Sequence, residues 1–418
     1  MNAIAISAGS ITVYWSSLII ALGVLAGLVM GLSLCRDDKC RASAVLCFYP
    51  PAILFSVFFS RLIHWYSYME QYASFVAAVT DYSAGGYCVS GVVLGVLLAG
   101  AVVRWAGLVG RIGSLFDTVL PGVVLSVAIL RLSESFGNIC RSKISVTAPL
   151  LQRLPFAVAS TDSAGNVSYK FATFFVSFLL LALLSLVLVR LCVHRRDIPM
   201  LRGMSRTGNV ARLGLVLFAA IEIVLDSTRS DPVSIHFAFL TMFNKYVGFI
   251  SVTMFVCAVC ILCVFLHYFK AVKRNGTGRP APLLAGYIVS LVGVGASEYL
   301  VQRFTGMFML YRSIQTLSAA LMVFVVCRHI SVPRFPRRHG KCASMTPLRY
   351  RSRPCFLKAG MRLSMICVIK GRKSGKITVV FPAILTVFWQ HWSCATSRWS
   401  PYLRILGIPC ISPGAGVI

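Results

Sequence analysis

Arg131 and Glu134 close a long apolar run in the stretch "SVAILRLSESFGNIC", residues 126–140. Three residues apart, they share a face if the helix continues. Charges inside a bilayer or at its edge are costly and are read first as functional groups. The alternative is an arginine snorkelling to head groups with Glu134 exposed to water; position alone leaves both readings open. A second cluster, in "FAAIEIVLDSTRSD", puts Glu222, Asp226 and Arg229 at i, i+4 and i+7. That is one stripe of a helix, and such a stripe should face the bundle interior or a water-filled cavity. Its competing reading is an inter-helix ion pair with a structural role. The third stretch is "SAGGYCVSGVVLGVLLAG", residues 83–100. Gly91, Gly95 and Gly100 favour close helix packing, and the backbone N–H groups of Gly85 and Gly86 could meet a phosphate.

The fifteen cysteines are scattered. Cys257, Cys260 and Cys263 recur at spacing three in "CAVCILC", but nothing nearby offers a fourth metal ligand. They read as small apolar residues inside a span. The sequence calls for no metal and no cofactor.

The elements that position these groups follow from composition. The 418-residue chain is 57% hydrophobic and only 13% charged, against about 25% charged in a soluble domain. Apolar stretches near the length of about 20 residues that spans a bilayer recur along it. They run solidly apolar, which excludes the alternation of a β-barrel strand. The fold class is therefore all-α, a polytopic helical membrane protein with about seven to nine transmembrane helices. Nine candidate spans fall near 12–34, 43–63, 86–106, 113–131, 171–193, 210–227, 246–268, 283–302 and 307–328. The first lacks the basic flank of a cleaved signal and reads as a retained helix.

Basic residues cluster in alternate loops: 35–42, 104–111, 190–212 and 270–279. The positive-inside rule puts those loops in the cytoplasm, the N-terminus outside and the C-terminus inside. Arg131 and the Asp226–Arg229 end of the sixth span then meet at the outer face. The net charge of +29 has this topological explanation and gives no indication of nucleic-acid binding. From residue 331 the chain is basic, and its last acidic residue is Glu298. That tail reads as a poorly ordered cytoplasmic extension.

These residues resemble the bacterial prolipoprotein diacylglyceryl transferases. "SLIIALGVLAGLVMGLSL" is similar to that family's first span, "SRLIHWYSY" to its second-span end, and "GGYCVSGVVLGVLLAG" to its glycine-rich third segment. In "DTVLPGVVLSVAILR", Asp117, Pro121 and Arg131 reproduce the family spacing, and "VLDSTRSD" resembles its late Glu/Arg motif. The departures are specific. Ser90 stands where the family has a histidine, Ser16 where it has a tyrosine, Glu134 near an expected asparagine, and Glu222 where an arginine is expected.

The resemblance covers roughly 12–268. It implies a transferase domain over 1–268; the additional helices over 269–330 and the basic tail over 331–418 lie outside it. It implies transfer of the diacylglyceryl group of phosphatidylglycerol to the cysteine thiol of a prolipoprotein, in the bacterial cytoplasmic (inner) membrane. The partners it implies are phosphatidylglycerol, prolipoprotein signal peptides and membrane lipids. Arg131, Glu134 and Arg229 take the catalytic roles: the arginines grip the phosphate, and Glu134 accepts the thiol proton. Gly85, Gly86, Ser90, Asp117, Glu222 and Asp226 are the substrate-binding candidates. The rival readings are a membrane transporter or lipid-binding protein using the same polar cavity, and an inactive relative of the transferase.

Overall fold

The computed structural model describes residues 4–8, 11–35, 40–68, 72, 74–80, 88–137, 142–161, 167–194, 207–230, 233, 250–275, 280–304 and 307–331. The chain divides into two units, Met1–Arg337 and Arg338–Ile418. The second unit and the start of the basic tail lie outside the described residues, as do Gly85 and Gly86.

Among the described residues, nine long helices build the first unit: α1 (Trp15–Ser33), α2 (Ala42–Ser67), α3 (Val89–Trp105), α4 (Ile112–Ser133), α5 (Thr173–His194), α6 (Asn209–Asp226), α7 (Val252–Asn275), α8 (Pro280–Arg303) and α9 (Phe308–Ser331). Each apolar run read from the sequence lies on one of them. Hydrocarbon offers no partner for a backbone amide, so such a run closes its own hydrogen bonds as a helix. Seven of the nine are long and apolar enough to cross a membrane. Of the other two, α3 has 17 residues, and α6 carries Arg212, Glu222 and Asp226. The protein is an all-α polytopic membrane protein. Two antiparallel hairpins that hydropathy did not signal complete it: β1 (Ile4–Ala8) with β2 (Ile11–Tyr14), and β3 (Ala157–Thr161) with β4 (Val167–Phe171).

Small residues set how closely the helices approach. A Cβ on Gly91 or Gly95 of α3 would lie 2.3 Å from the backbone nitrogen of Ser60 or Ser56 on α2. One on Gly27 of α1 would lie 2.5 Å from the carbonyl oxygen of Gly122 on α4. Larger side chains at these points would push the backbones apart.

α4 stands between two apolar clusters. Leu115 and Val119 pack with α2 and α3, while Leu120, Val124 and Val127 pack with α5, α6 and α7. Pro121 interrupts α4. Proline has no N–H, so the Asp117 carbonyl loses its helical partner. The Cys192 thiol of α5 donates to that carbonyl at 3.2 Å, and the Ser185 hydroxyl donates to the Pro121 carbonyl at 2.8 Å. Neighbouring side chains thus repair a break that lipid could not.

Candidate functional site

Arg131 lies in the last turn of α4 and is 1% exposed. Its guanidinium joins two carboxylates. Nη1 donates to Glu134 Oε1 at 2.9 Å, and Nη2 donates to Glu222 Oε2 on α6. Helix α4 ends at Ser133, and Glu134 opens a 3-10 turn, Glu134–Gly137. The turn still returns Glu134 to Arg131, as the three-residue spacing anticipated. Glu222 is fully buried, so Arg131 is no snorkelling residue.

One turn further along α6, Asp226 is 2% exposed and accepts the Ser251 hydroxyl. Arg229 lies just beyond the helix and approaches Asp226 Oδ1 at 3.5 Å. The stripe read as Glu222, Asp226 and Arg229 therefore holds, with its last member on a turn rather than on the helix. The β3–β4 hairpin steadies that turn. Ser142 N–H donates to the Phe171 carbonyl at 3.1 Å, while Lys143 N–H and Ser142 Oγ donate to the Thr228 carbonyl at 3.0 and 3.1 Å.

Among the described residues, Arg131 and Arg229 stand with Glu134, Glu222 and Asp226. Among them too, Glu134 Oε2, Glu222 Oε1 and the hydroxyl of Ser90, itself 1% exposed, make no hydrogen bond. Buried oxygens left open in this way call for a donor that the described residues do not supply.

Cys88, one residue ahead of α3, is 8% exposed. A buried thiol thus lies within range of the charges of Arg229, Asp226, Arg131 and Glu134.

An apolar cavity of about 220 Å³ runs along α3, α4 and α6. Val93, Val127 and Phe218 line it. Each stands one helical turn from Ser90, Arg131 and Glu222 respectively, on the same helix face. Its other end reaches Ile112, Gly208 and Arg212. The groove thus runs from Gly208 and Arg212 to within one helical turn of the charged cluster.

Asp117 does not join the cluster. Fourteen residues before Arg131 on α4, it lies about 21 Å away along the helix axis at 1.5 Å per residue. Its carboxylate accepts the N–H groups of Gly208 at 2.6 Å and Ala211 at 2.8 Å. Asp117 therefore caps the start of α6, where free N–H groups and the positive end of the helix dipole favour an anion. The cap needs a left-handed backbone at Gly208, whose φ is 87°. Asp117, expected from the sequence among the substrate-binding residues, thus spends its carboxylate on seating the helix that carries Glu222. Gly85 and Gly86 lie outside the described residues.

Sequence reasoning assigned no site role to four further buried or partly buried polar residues: Ser251, Arg61, Arg312 and Glu298. Ser251 gave no signal, being one hydroxyl at a span edge. Arg61 on α2 is 1% exposed and donates to the Ala78 carbonyl at 3.5 Å; its signal was an arginine near the end of an apolar run. Arg312 and Glu298 form an ion pair at 3.3 Å between α9 and α8, and charges within two apolar runs announced them.

No curated protein matches the chain. The sequence matches the prolipoprotein diacylglyceryl transferase family over residues 3–267, more than half its length. That segment holds Ser90, Arg131, Glu134, Glu222, Asp226 and Arg229, and it ends within α7. With a membrane bundle that gathers arginines and carboxylates at one end of an apolar groove, the chain belongs to the prolipoprotein diacylglyceryl transferase family.

Proposed function

We propose that this chain transfers the diacylglyceryl group of phosphatidylglycerol to the lipobox cysteine of prolipoproteins, in the cytoplasmic membrane of a bacterium. The observation that carries this reading is the buried Arg131, held between two carboxylates that each keep an open oxygen. An acyl chain fits the apolar groove, which brings a head group to Arg131. The phosphate then takes the place of Glu134 at Nη1. Glu134 is the partner to move, because its side chain is 10% exposed and that of Glu222 is fully buried. The permanently charged guanidinium of Arg131 suits a phosphate, which it holds through Nη1 while Nη2 stays on Glu222. The head-group hydroxyls of phosphatidylglycerol are donors of the kind that Glu222 Oε1 and Glu134 Oε2 lack.

The reaction then proceeds at the glyceryl carbon bonded to the phosphate oxygen. The substrate thiol attacks this carbon, a sulfur–carbon bond forms, and the carbon–oxygen bond breaks. The electron pair goes to the departing glycerol phosphate, where Arg131 and Arg229 offset the growing negative charge. Glu134, released from Arg131 by the phosphate, takes the thiol proton. Lipid binding and the freeing of the base are thereby one event.

The test is incubation of the purified full-length chain with phosphatidylglycerol vesicles and a lipobox peptide, read by peptide mass. The peptide should gain one diacylglyceryl group. Vesicles whose lipid has a propanol head group, without hydroxyls, should support much slower transfer. An unmodified peptide from phosphatidylglycerol vesicles overturns the reading.

A further inference from the structure

Helices α8 and α9 lie beyond the segment that matches the family, yet they bury a polar cluster against it. Glu298 on α8 is 2% exposed and Gln315 on α9 is fully buried. Arg312 on α9 donates through Nη1 to Gln315 Oε1 at 2.7 Å, to Glu298 Oε2 at 3.3 Å and to the Ser227 hydroxyl. Its Nη2 donates to the Ser227 carbonyl. Gln315 Nε2 and Gln302 Nε2 each donate to Glu298 at 2.8 Å, one to each oxygen. The cluster is thus assembled around one point, and that point is Ser227.

Ser227 is the C-cap of α6. A helix end leaves carbonyls without partners and carries partial negative charge. Arg312 answers both, with a permanent positive charge and a donor on the cap carbonyl. Asp117 does the converse at the other end of the same helix. α6 is therefore held at each end by a side chain of opposite sign from another helix. Apolar residues would join α8 and α9 to the bundle without the cost of burying ions, so the cluster has a purpose other than adhesion. Ser227 follows Asp226 directly, and Arg229 is two residues on.

We propose that Arg312, oriented by Glu298 and Gln315, is a positioning residue for diacylglyceryl transfer. It fixes the end of α6 so that Asp226 and Arg229 stand correctly beside Arg131. It touches no substrate. This inference rests on the transfer reading above, and its test separates the two.

The full-length chain in phosphatidylglycerol vesicles is compared with Arg312→Gln and Arg312→Lys. Transfer to a lipobox peptide gives kcat and KM. Hydrogen exchange is followed at the Lys143 amide, which donates to Thr228 at 3.0 Å, and along α1 as a distant control. Arg312→Gln should lower kcat about tenfold or more, leave the peptide KM within about twofold, and speed exchange at Lys143 but not in α1. Arg312→Lys keeps charge but not the fork and should fall between the two. In an Arg229→Lys background, Arg312→Gln should cost much less than it does alone, because both act through one turn. Unchanged kcat and Lys143 exchange in Arg312→Gln overturn the proposal. So do losses that multiply with Arg229→Lys, or faster exchange in α1 as well. If Arg312→Gln does not fold, Arg312→Lys decides: unmodified rate and exchange overturn the proposal. A wild-type chain that lipidates no peptide defeats the transfer reading alone, and Lys143 exchange still decides the clamp.

Discussion

Replacing Asp117 with alanine should loosen α6 at the end farthest from the charged cluster. The carboxylate takes two backbone donors, at 2.6 and 2.8 Å, and is 3% exposed. A hydrogen bond to a charged group contributes about 1.5–3 kcal/mol. Two of them set an upper bound near 6 kcal/mol before any dipole interaction, and relaxation and water at the freed amides reduce the loss to about 3. Asp117→Asn keeps one acceptor and loses the charge, so about half that loss is expected. Thermal unfolding in detergent, with hydrogen exchange along α6, measures both variants. The Gly208 and Ala211 amides should lose protection first, and transfer should fall because Glu222 rides on the same helix. Unchanged melting together with unchanged α6 exchange in Asp117→Ala would refute the capping argument.

The groove is tested by Val124→Trp, which fills the space one turn from Val127 on α4; transfer from long-chain lipids should drop about tenfold while a short-chain lipid is less affected, and equal loss for both would show that the groove holds no chain. A topology reporter placed after residue 200 should read cytoplasmic and one near 150 external; the reverse places the cluster on the inner face.

The helices were legible because lipid gives an apolar run of span length one solution, and the run lengths alone located all nine. Arg131, Glu134 and Glu222 were legible as costly charges in apolar surroundings. Their partners were less so. Arg131 and Glu222 are ninety-one residues apart in sequence, and no local spacing pairs them. The partners of Asp117 were hidden for a related reason: its spacing to Arg131 follows the family, but it accepts from backbone amides at Gly208 and Ala211, which carry no side-chain signature. The hairpin that steadies Arg229 was invisible to hydropathy, because β3 and β4 are short and largely solvated. Arg312 and Glu298 showed as charges in apolar runs, yet only packing could reveal that they converge on the end of α6.

The most direct measurement counts products in one reaction. The purified chain is given phosphatidylglycerol labelled in its head group and a lipobox peptide, and released glycerol phosphate is compared with lipidated peptide. The mechanism predicts one glycerol phosphate per peptide modified. Arg131→Lys should lower both together, and Arg131→Ala further, by about 2–4 kcal/mol of transition-state stabilisation. Lipidated peptide without matching glycerol phosphate, or full turnover in folded Arg131→Ala, would contradict the account.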